Sequence, residues 1–147
     1  MEAKSILLVE DNPDDITLTL RALEKNNITN KIEIARDGEE AIKLISSHIN
    51  DQRIPVVPMP ALVLLDLKLP KVDGLEVLKF IRSNVKTKFL PVVILTSSKE
   101  EQDLFNSYNL GANSYIRKPV DFNNFIDAIK NLGLYWLLLN ETPSIKE

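Results

Sequence analysis

Short, wholly apolar runs alternate with amphipathic stretches along this chain, and that alternation constrains its fold more than any other feature. Ile6-Leu7-Leu8-Val9, Leu62-Val63-Leu64-Leu65 and Val92-Val93-Ile94-Leu95 each hold four apolar residues and each runs straight into a polar or acidic one. Continuous runs of this kind, without period-two alternation, belong to strands buried on both faces. Residues 31–35 and 114–117 supply two further strands. The stretches between have helical spacing. Asn12 is the expected N-cap of the first helix, with Pro13 at its opening position and Asp14 and Asp15 complementing the dipole. That helix is predicted to reach about Lys25, burying Ile16, Leu20 and Leu23. An Asp37-Gly38 turn leads into a second helix over 39–49 that buries Ile42 and Ile45. Residues 50–61, with Pro55, Pro58 and Pro60, form a loop.

Pro70 then breaks the chain. Asp73 with Glu76, and Ser98 with Glu101, stand at capping-box spacing before the third and fourth helices, the third reaching about Asn84 and Gly111 ending the fourth. Asp121 caps a last helix running past Gly133 toward Asn140. Five strand–helix units predict an α/β fold, a doubly wound five-stranded parallel sheet with helices on both faces. At 147 residues a single domain over 1–147 is expected, with a helical extension at about 133–142 and a frayed tail at 143–147.

Composition removes several classes of function. There is no cysteine, so no disulfide framework, thiolate zinc site or thiol redox centre can form. A net charge of -3 gives no nucleic-acid footprint. The longest apolar run, residues 134–139, is far below the ~17 residues of a membrane span, and no signal peptide is visible. A soluble, cytoplasmic protein is expected. Four glycines, none in a Gly-x-Gly-x-x-Gly or Walker arrangement, disfavour a dinucleotide-binding module.

In an open parallel sheet, ligands bind outside the carboxyl ends of the strands. Those ends carry Glu10-Asp11, Asp66, Thr96 and Lys118-Pro119. Three neighbouring carboxylates call for a cation, and oxygen ligands without Cys or His favour magnesium or calcium. Thr96 and Lys118 are donors, suited to an anionic oxygen group such as phosphoryl. A single acid after a strand is usually a cap or a solvated loop residue. Four strand ends with complementary chemistry are a different matter.

The same residues carry a resemblance. Ile6-Leu7-Leu8-Val9-Glu10-Asp11-Asn12, Leu64-Leu65-Asp66-Leu67-Lys68-Leu69-Pro70 with Asp73-Gly74, Leu95-Thr96-Ser97, Gly111-Ala112, Tyr115 and Lys118-Pro119 follow one another as in the receiver domain of two-component response regulators, from about residue 4 to 139. The chain is identified as a member of that family, similar to its stand-alone, phytochrome-linked type. The resemblance implies the flavodoxin-like (βα)5 receiver fold with strand order 2-1-3-4-5. It implies Asp66 as phospho-acceptor from a sensor histidine kinase, and Mg²⁺ held by Asp11, Asp66 and the Lys68 carbonyl, with Glu10 acting mainly through water. Glu10 stands where the family often has Asp. Thr96 and Lys118 would hold phosphoryl oxygens, aided by the N–H groups of Lys68 and Ser97.

The resemblance further implies that Tyr115 is a switch aromatic turning inward with Thr96 on phosphorylation, changing the face built by the fourth helix, fifth strand and fifth helix. It makes the Lys118-Pro119 bond cis and gives Lys68 and Ser98 control over how fast water reaches the acyl phosphate. With nothing following residue 147, the expectation is a switch without an output domain, not a conventional enzyme. His48, the only histidine, is expected at a solvated helix end. Leu134-Tyr135-Trp136-Leu137-Leu138-Leu139 points all round a helix, so one core cannot bury every residue. The run is either a self-packed extension or a partner surface; the resemblance to stand-alone receivers, which carry a similar extension and can pair through that face, makes Leu134, Tyr135, Trp136, Leu138 and Tyr115 candidates for a homodimer interface. A haloacid-dehalogenase-like phosphohydrolase needs an acid two residues after its nucleophile, where this chain has Lys68. A phosphorylation-independent receiver-like binding module remains the alternative.

Overall fold

The computed structural model describes residues 4–50, 59–118, 121–141 and 143. Ten regular elements follow one another: β1 (Ile6–Val9), α1 (Pro13–Lys25), β2 (Ile32–Ala35), α2 (Gly38–Asn50), β3 (Leu62–Leu65), α3 (Gly74–Ser83), β4 (Val92–Thr96), α4 (Glu101–Asn109), β5 (Ser114–Arg117) and α5 (Phe122–Gly133). A wider π-type turn, Leu134–Leu139, continues α5. The strands form one parallel sheet in the order β2-β1-β3-β4-β5. The flavodoxin-like doubly wound architecture is therefore present. Residues 51–58 of the expected loop, and Pro119 with the cis bond expected there, lie outside the described residues.

Strand pleating divides the core in two. Leu7, Val9, Val63, Leu65, Val92 and Ile94 face α2 and α3, where Ala41, Ile45, Val77, Leu78 and Ile81 are buried. Ile6, Leu8, Leu62, Leu64, Val93 and Leu95 face α1 and α5, meeting Ile16, Leu23, Phe125 and Ile129. The three central strands are buried throughout, as their unbroken apolar runs require. The edge strands β2 and β5 are only half-buried, which matches their mixed sequences. Among the described residues no helix is long and apolar enough to cross a membrane.

The helix starts read from the sequence hold at three of four sites. The Asn12 Oδ1 accepts from the N–H groups of Asp14 and Asp15 at 2.8 and 3.3 Å. Asp73 accepts from the Glu76 N–H, and Asp121 from the Asn123 N–H. Ser98 does not cap α4. Lys99 and Glu100 intervene, so its hydroxyl accepts from the Glu100 N–H two residues on and donates to Asp103. The cap position is Glu100, which makes no side-chain cap bond.

Two other expectations are corrected. His48 is not solvated: its side chain is 5% exposed, with Nε2 3.5 Å from Glu33 Oε1 on β2. It lies three residues beyond Ile45 and seven beyond Ala41, on the face of α2 turned to the sheet. The last helix does not continue unchanged to Asn140. The Asn140 N–H donates to Tyr135 O, five residues back, because the turn has widened. Leu137 is buried and Trp136 packs against the α1–α5 core, while Leu134, Tyr135, Leu138 and Leu139 remain exposed.

Arg82 supplies a tie that periodicity does not reveal. It donates to the carbonyls of Gly111, Lys88 and Leu90 and to Asn113 Oδ1, joining α3 to the loops around β4 and β5. Burial pulls its pKa below the ordinary value. Gly111 sits there at φ +98°, the left-handed region a glycine tolerates.

Candidate phosphoryl and metal site

Parallel pairing brings the carboxyl ends of β1, β3, β4 and β5 to one edge. The Asp66 N–H donates to Val9 O at 3.0 Å and the Lys118 N–H to Thr96 O at 2.8 Å, so each site residue leaves its strand in register with its neighbour. Because Asn12 starts α1 at once, Asp15 falls in its first turn and faces back to the same edge. Carboxylate oxygens of Glu10, Asp11 and Asp66 all lie within 4.8 Å of one another. Glu10 and Asp66 are buried, whereas Asp11 is exposed.

Lys118 is the counter-charge. Its side chain is 8% exposed, and Nζ bonds Glu10 Oε1, donates to Asp15 Oδ2 at 3.0 Å and lies 3.6 Å from Asp66 Oδ2. Burial acts to lower its pKa, but Glu10, Asp66 and Asp15 together hold it above the ordinary value. Glu10 is pushed up to about 7 by burial, with Lys118 opposing and the Asp66 charge adding to the rise. One ammonium cannot balance Glu10, Asp11, Asp15 and Asp66 when all are ionised. A hard divalent cation with oxygen ligands fits this donor set, and exposed Asp11 gives it access from solvent.

Thr96 is buried, and its Oγ1 accepts from the Ser98 N–H at 3.3 Å. The Asp66 Oδ1 accepts from the Leu67 N–H at 2.8 Å. Lys68 is exposed beside Asp66 and reaches Glu100 Oε1 at 3.9 Å. With Asp11, Asp73, Glu100 and Asp103 it rims a cleft of about 480 Å³. Ser97 is exposed at the strand end. Tyr115 is half-buried on β5, its hydroxyl buried and without a hydrogen-bond partner among the described residues. An unsatisfied buried hydroxyl costs about 1–3 kcal/mol. Burial raises its pKa; Ser98 opposes and the Asp103 charge adds.

The other four candidate interface residues are elsewhere: Leu134, Tyr135, Trp136 and Leu138 belong to the extension of α5. Two residues beside the site are not evident from the sequence. In sequence Asp15 looks like a dipole partner of α1, although the Asn12 cap fixes it one turn from the strand end. Asp103 carried no sequence signal.

The raised Glu10 pKa has a consequence for stability. A carboxyl with a folded pKa of about 7 and an ordinary value of 4.5 binds more protons folded than unfolded between those values. Its contribution to stability is therefore lost as pH rises from about 4.5 to 7, by up to about 3 kcal/mol. Urea midpoints in metal-free buffer at pH 5 and 7.5 are expected to fall for the wild type relative to Glu10→Gln. Equal pH dependence in the two proteins would contradict this.

Residues 6–130 match the family model described as response regulator receiver domain. The probable methanogenesis regulatory protein FilR2 of Methanothrix harundinacea is 41% identical over 138 residues, 94% of this chain and 86% of its own. Response regulator Rcp1 of Synechocystis is 37% identical over 91% of this chain and 89% of its own length. Its Mn²⁺-bound crystal structure superposes with a TM-score of 0.82 over 96% of this chain and 99% of that one, at 36% identity. The phosphorylated cyanobacterial phytochrome response regulator RcpA gives a TM-score of 0.85 at 38% identity, covering 97% of this chain and 100% of that one. The chain belongs to the response regulator receiver domain family.

Proposed function

We propose that this protein is a phosphorylation switch whose Asp66 accepts a phosphoryl group from a sensor histidine kinase. The observation that carries the reading is the convergence of Glu10, Asp11 and Asp66 with Thr96 and Lys118 at one sheet edge. An Asp66 carboxylate oxygen attacks phosphorus, the phosphorus–nitrogen bond breaks, and the imidazole leaves with the electron pair and takes up a proton. Lys118, already beside Asp66, and the Thr96 hydroxyl hold the phosphoryl oxygens, with the N–H groups of Lys68 and Ser97 available to help. The residues fit Mg²⁺: Asp11, Asp66 and the Lys68 carbonyl would hold it, and Glu10 would act mainly through water. When bound, the ion supplies neutralisation of phosphoryl charge. The Mn²⁺-bound form of Rcp1 supports a divalent metal here.

Thr96 and Tyr115 then change the face of α4, β5 and α5, and exposed Leu134, Tyr135 and Leu138, with Trp136, make contact with a second copy. Lys68 and Ser98 set the lifetime of the acyl phosphate. The phytochrome response regulator RcpA supports a phytochrome-type kinase as donor, with the exchange in the cytoplasm.

Transfer from an autophosphorylated histidine kinase, followed by isotope label and elution volume, tests the reading. Label is expected on the wild type, none on Asp66→Asn, and the labelled protein should elute at a changed volume. Label persisting on Asp66→Asn would overturn the assignment. Folded protein that takes no label from any donor would favour the phosphorylation-independent binding module.

A further inference from the structure

α1 and α5 start beside the phosphoryl edge and end at the opposite edge of the sheet, where a cavity of about 350 Å³ lies between their last turns. One wall is the turn after α1. Asn27 takes φ +57° and the Ile28 N–H donates to Leu23 O at 2.9 Å, so the chain folds back and sets Ile28 against α5. Gly133 admits it: a β-carbon there would lie 2.4 Å from Ile28 Cδ1. Asn26 Nδ2 joins the two helices by donating to Ala22 O and Ile126 O. The other wall is the widened turn at 134–139, which brings Leu134, Leu137 and Leu138 to the cavity. Lys4 Nζ donates to Leu137 O at 2.6 Å and ties that turn to the chain before β1.

The lining is of two kinds. Ile28 and the three leucines offer hydrocarbon, and Leu134 and Leu138 are left 46% and 72% exposed. Lys25 and Lys130 are the charged residues of the lining, and no acid joins them there. Among the described residues neither lysine has an ion-pair partner. Both complement the negative ends of their helices, which accounts for a lysine at each place but not for the apolar hollow beside them. Widened turns of this kind are frequent at functional sites. A concave apolar surface with a few polar groups is the usual form of a small-ligand site, for which about 300 Å³ is the lower end of the common range.

A cationic rim on an apolar hollow complements one chemical class. We propose that this cavity binds a single-chain amphiphilic anion, a carboxylate carried on a medium-length hydrocarbon chain. The chain lies against Ile28, Leu134, Leu137 and Leu138, and the carboxylate pairs with Lys25 and Lys130. The cavity is remote from the phosphoryl edge, so this binding does not rest on the proposed role of Asp66. Leu134 and Leu138 also belong to the surface proposed for pairing, so a bound anion competes with the second copy for them; that consequence does rest on the pairing.

Titration of the full chain with decanoate below its micellar range, followed by the fluorescence of Trp136, reads the binding. Trp136 is the one tryptophan of the chain and adjoins Leu137. A saturable change is expected. 1-Decanol, with the same hydrocarbon and no charge, should bind about tenfold more weakly. Butyrate, with the charge and little hydrocarbon, should bind about a hundredfold more weakly. Lys25→Gln combined with Lys130→Gln should weaken decanoate about tenfold and leave decanol within about twofold, whereas Leu138→Ser should weaken both alike, by about fivefold. All three positions are exposed, so the fold tolerates the changes. Lysines that serve only their helix ends would lower the thermal midpoint of the Gln variant and leave its decanoate affinity unchanged. That result would overturn the site, as would equal wild-type affinity for decanoate and decanol, or no saturable change. Retention on phosphatidylglycerol vesicles that decanoate fails to displace would assign the surface to a lipid headgroup and equally overturn it.

Discussion

Lys118→Ala is expected to lower the unfolding free energy by about 3–5 kcal/mol at pH 7.5 in metal-free buffer. The substitution removes the ammonium that bonds Glu10 and Asp15 and lies 3.6 Å from Asp66. Two buried carboxyls are then left side by side without their counter-charge. Protonation offers partial relief, since Glu10 is already pushed up to about 7 by its burial. The deficit should therefore shrink at pH 5, where the glutamate is neutral in both proteins. Millimolar Mg²⁺ should restore part of it at pH 7.5, because a cation among the same oxygens replaces the lost charge. Urea denaturation at both pH values, with and without Mg²⁺, measures all three effects. A loss below about 1 kcal/mol that ignores pH and Mg²⁺ would mean that Lys118 is not the counter-ion of the cluster.

Gly74→Ala is the second large effect. A β-carbon built at Gly74 would lie 2.2 Å from the carbonyl oxygen of Asp66 and 2.7 Å from the Leu67 Cα. Both are backbone atoms, so no side chain can swing aside. The Gly74 N–H also donates to Leu67 O at 2.8 Å, which seats the first residue of α3 against the strand end carrying Asp66. Overpacking ordinarily costs 1–3 kcal/mol, and here about 3 kcal/mol or more is expected because the helix and the strand end must separate. The displacement falls on the proposed acceptor itself. Gly74→Ala should therefore weaken Mn²⁺ binding, read by paramagnetic relaxation, more than Gly111→Ala does. At Gly111 the nearest atoms belong to the Arg82 side chain at 3.0 Å and beyond, so the strain of an alanine at φ +98° falls on the loop before β5 and not on the Asp66 carbonyl. Equal effects from the two glycines would contradict the clamp.

What the sequence disclosed follows from how local each signal is. The three central strands were legible because each is a run of four apolar residues that only a doubly covered strand can bury. From them the parallel sheet and its polar edge follow. Asn12, Asp73 and Asp121 were legible because a cap bonds within three residues of itself. Ser98 looked the same in sequence, but two intervening residues turned its hydroxyl toward Asp103. The ties that cross between elements left no such trace. Arg82 to the Gly111 carbonyl, Asp15 to Lys118 and His48 to Glu33 join positions separated by 15 to 103 residues. The widened turn at 134–139 leaves no trace either, since an apolar run reads alike with bonds to the fourth or the fifth residue back.

The site shows the same division. Glu10, Asp11, Asp66, Thr96 and Lys118 could be placed together because parallel strands share their carboxyl edge. Which of the acids Lys118 would join, and that Glu10 would be buried while Asp11 stays exposed, depended on the α1 start and on packing. Tyr115 was expected to move inward as part of switching. In the structure its hydroxyl is buried and has no hydrogen-bond partner among the described residues.

Acceptance of a phosphoryl group at Asp66 is tested most directly by intact mass after incubation with acetyl phosphate, with and without Mg²⁺, beside Asp66→Asn. The account predicts a gain of one phosphoryl group in the wild type that requires Mg²⁺ and is absent from Asp66→Asn. A gain of the same size in Asp66→Asn, or no gain together with no beryllofluoride binding in folded wild-type protein, would contradict it.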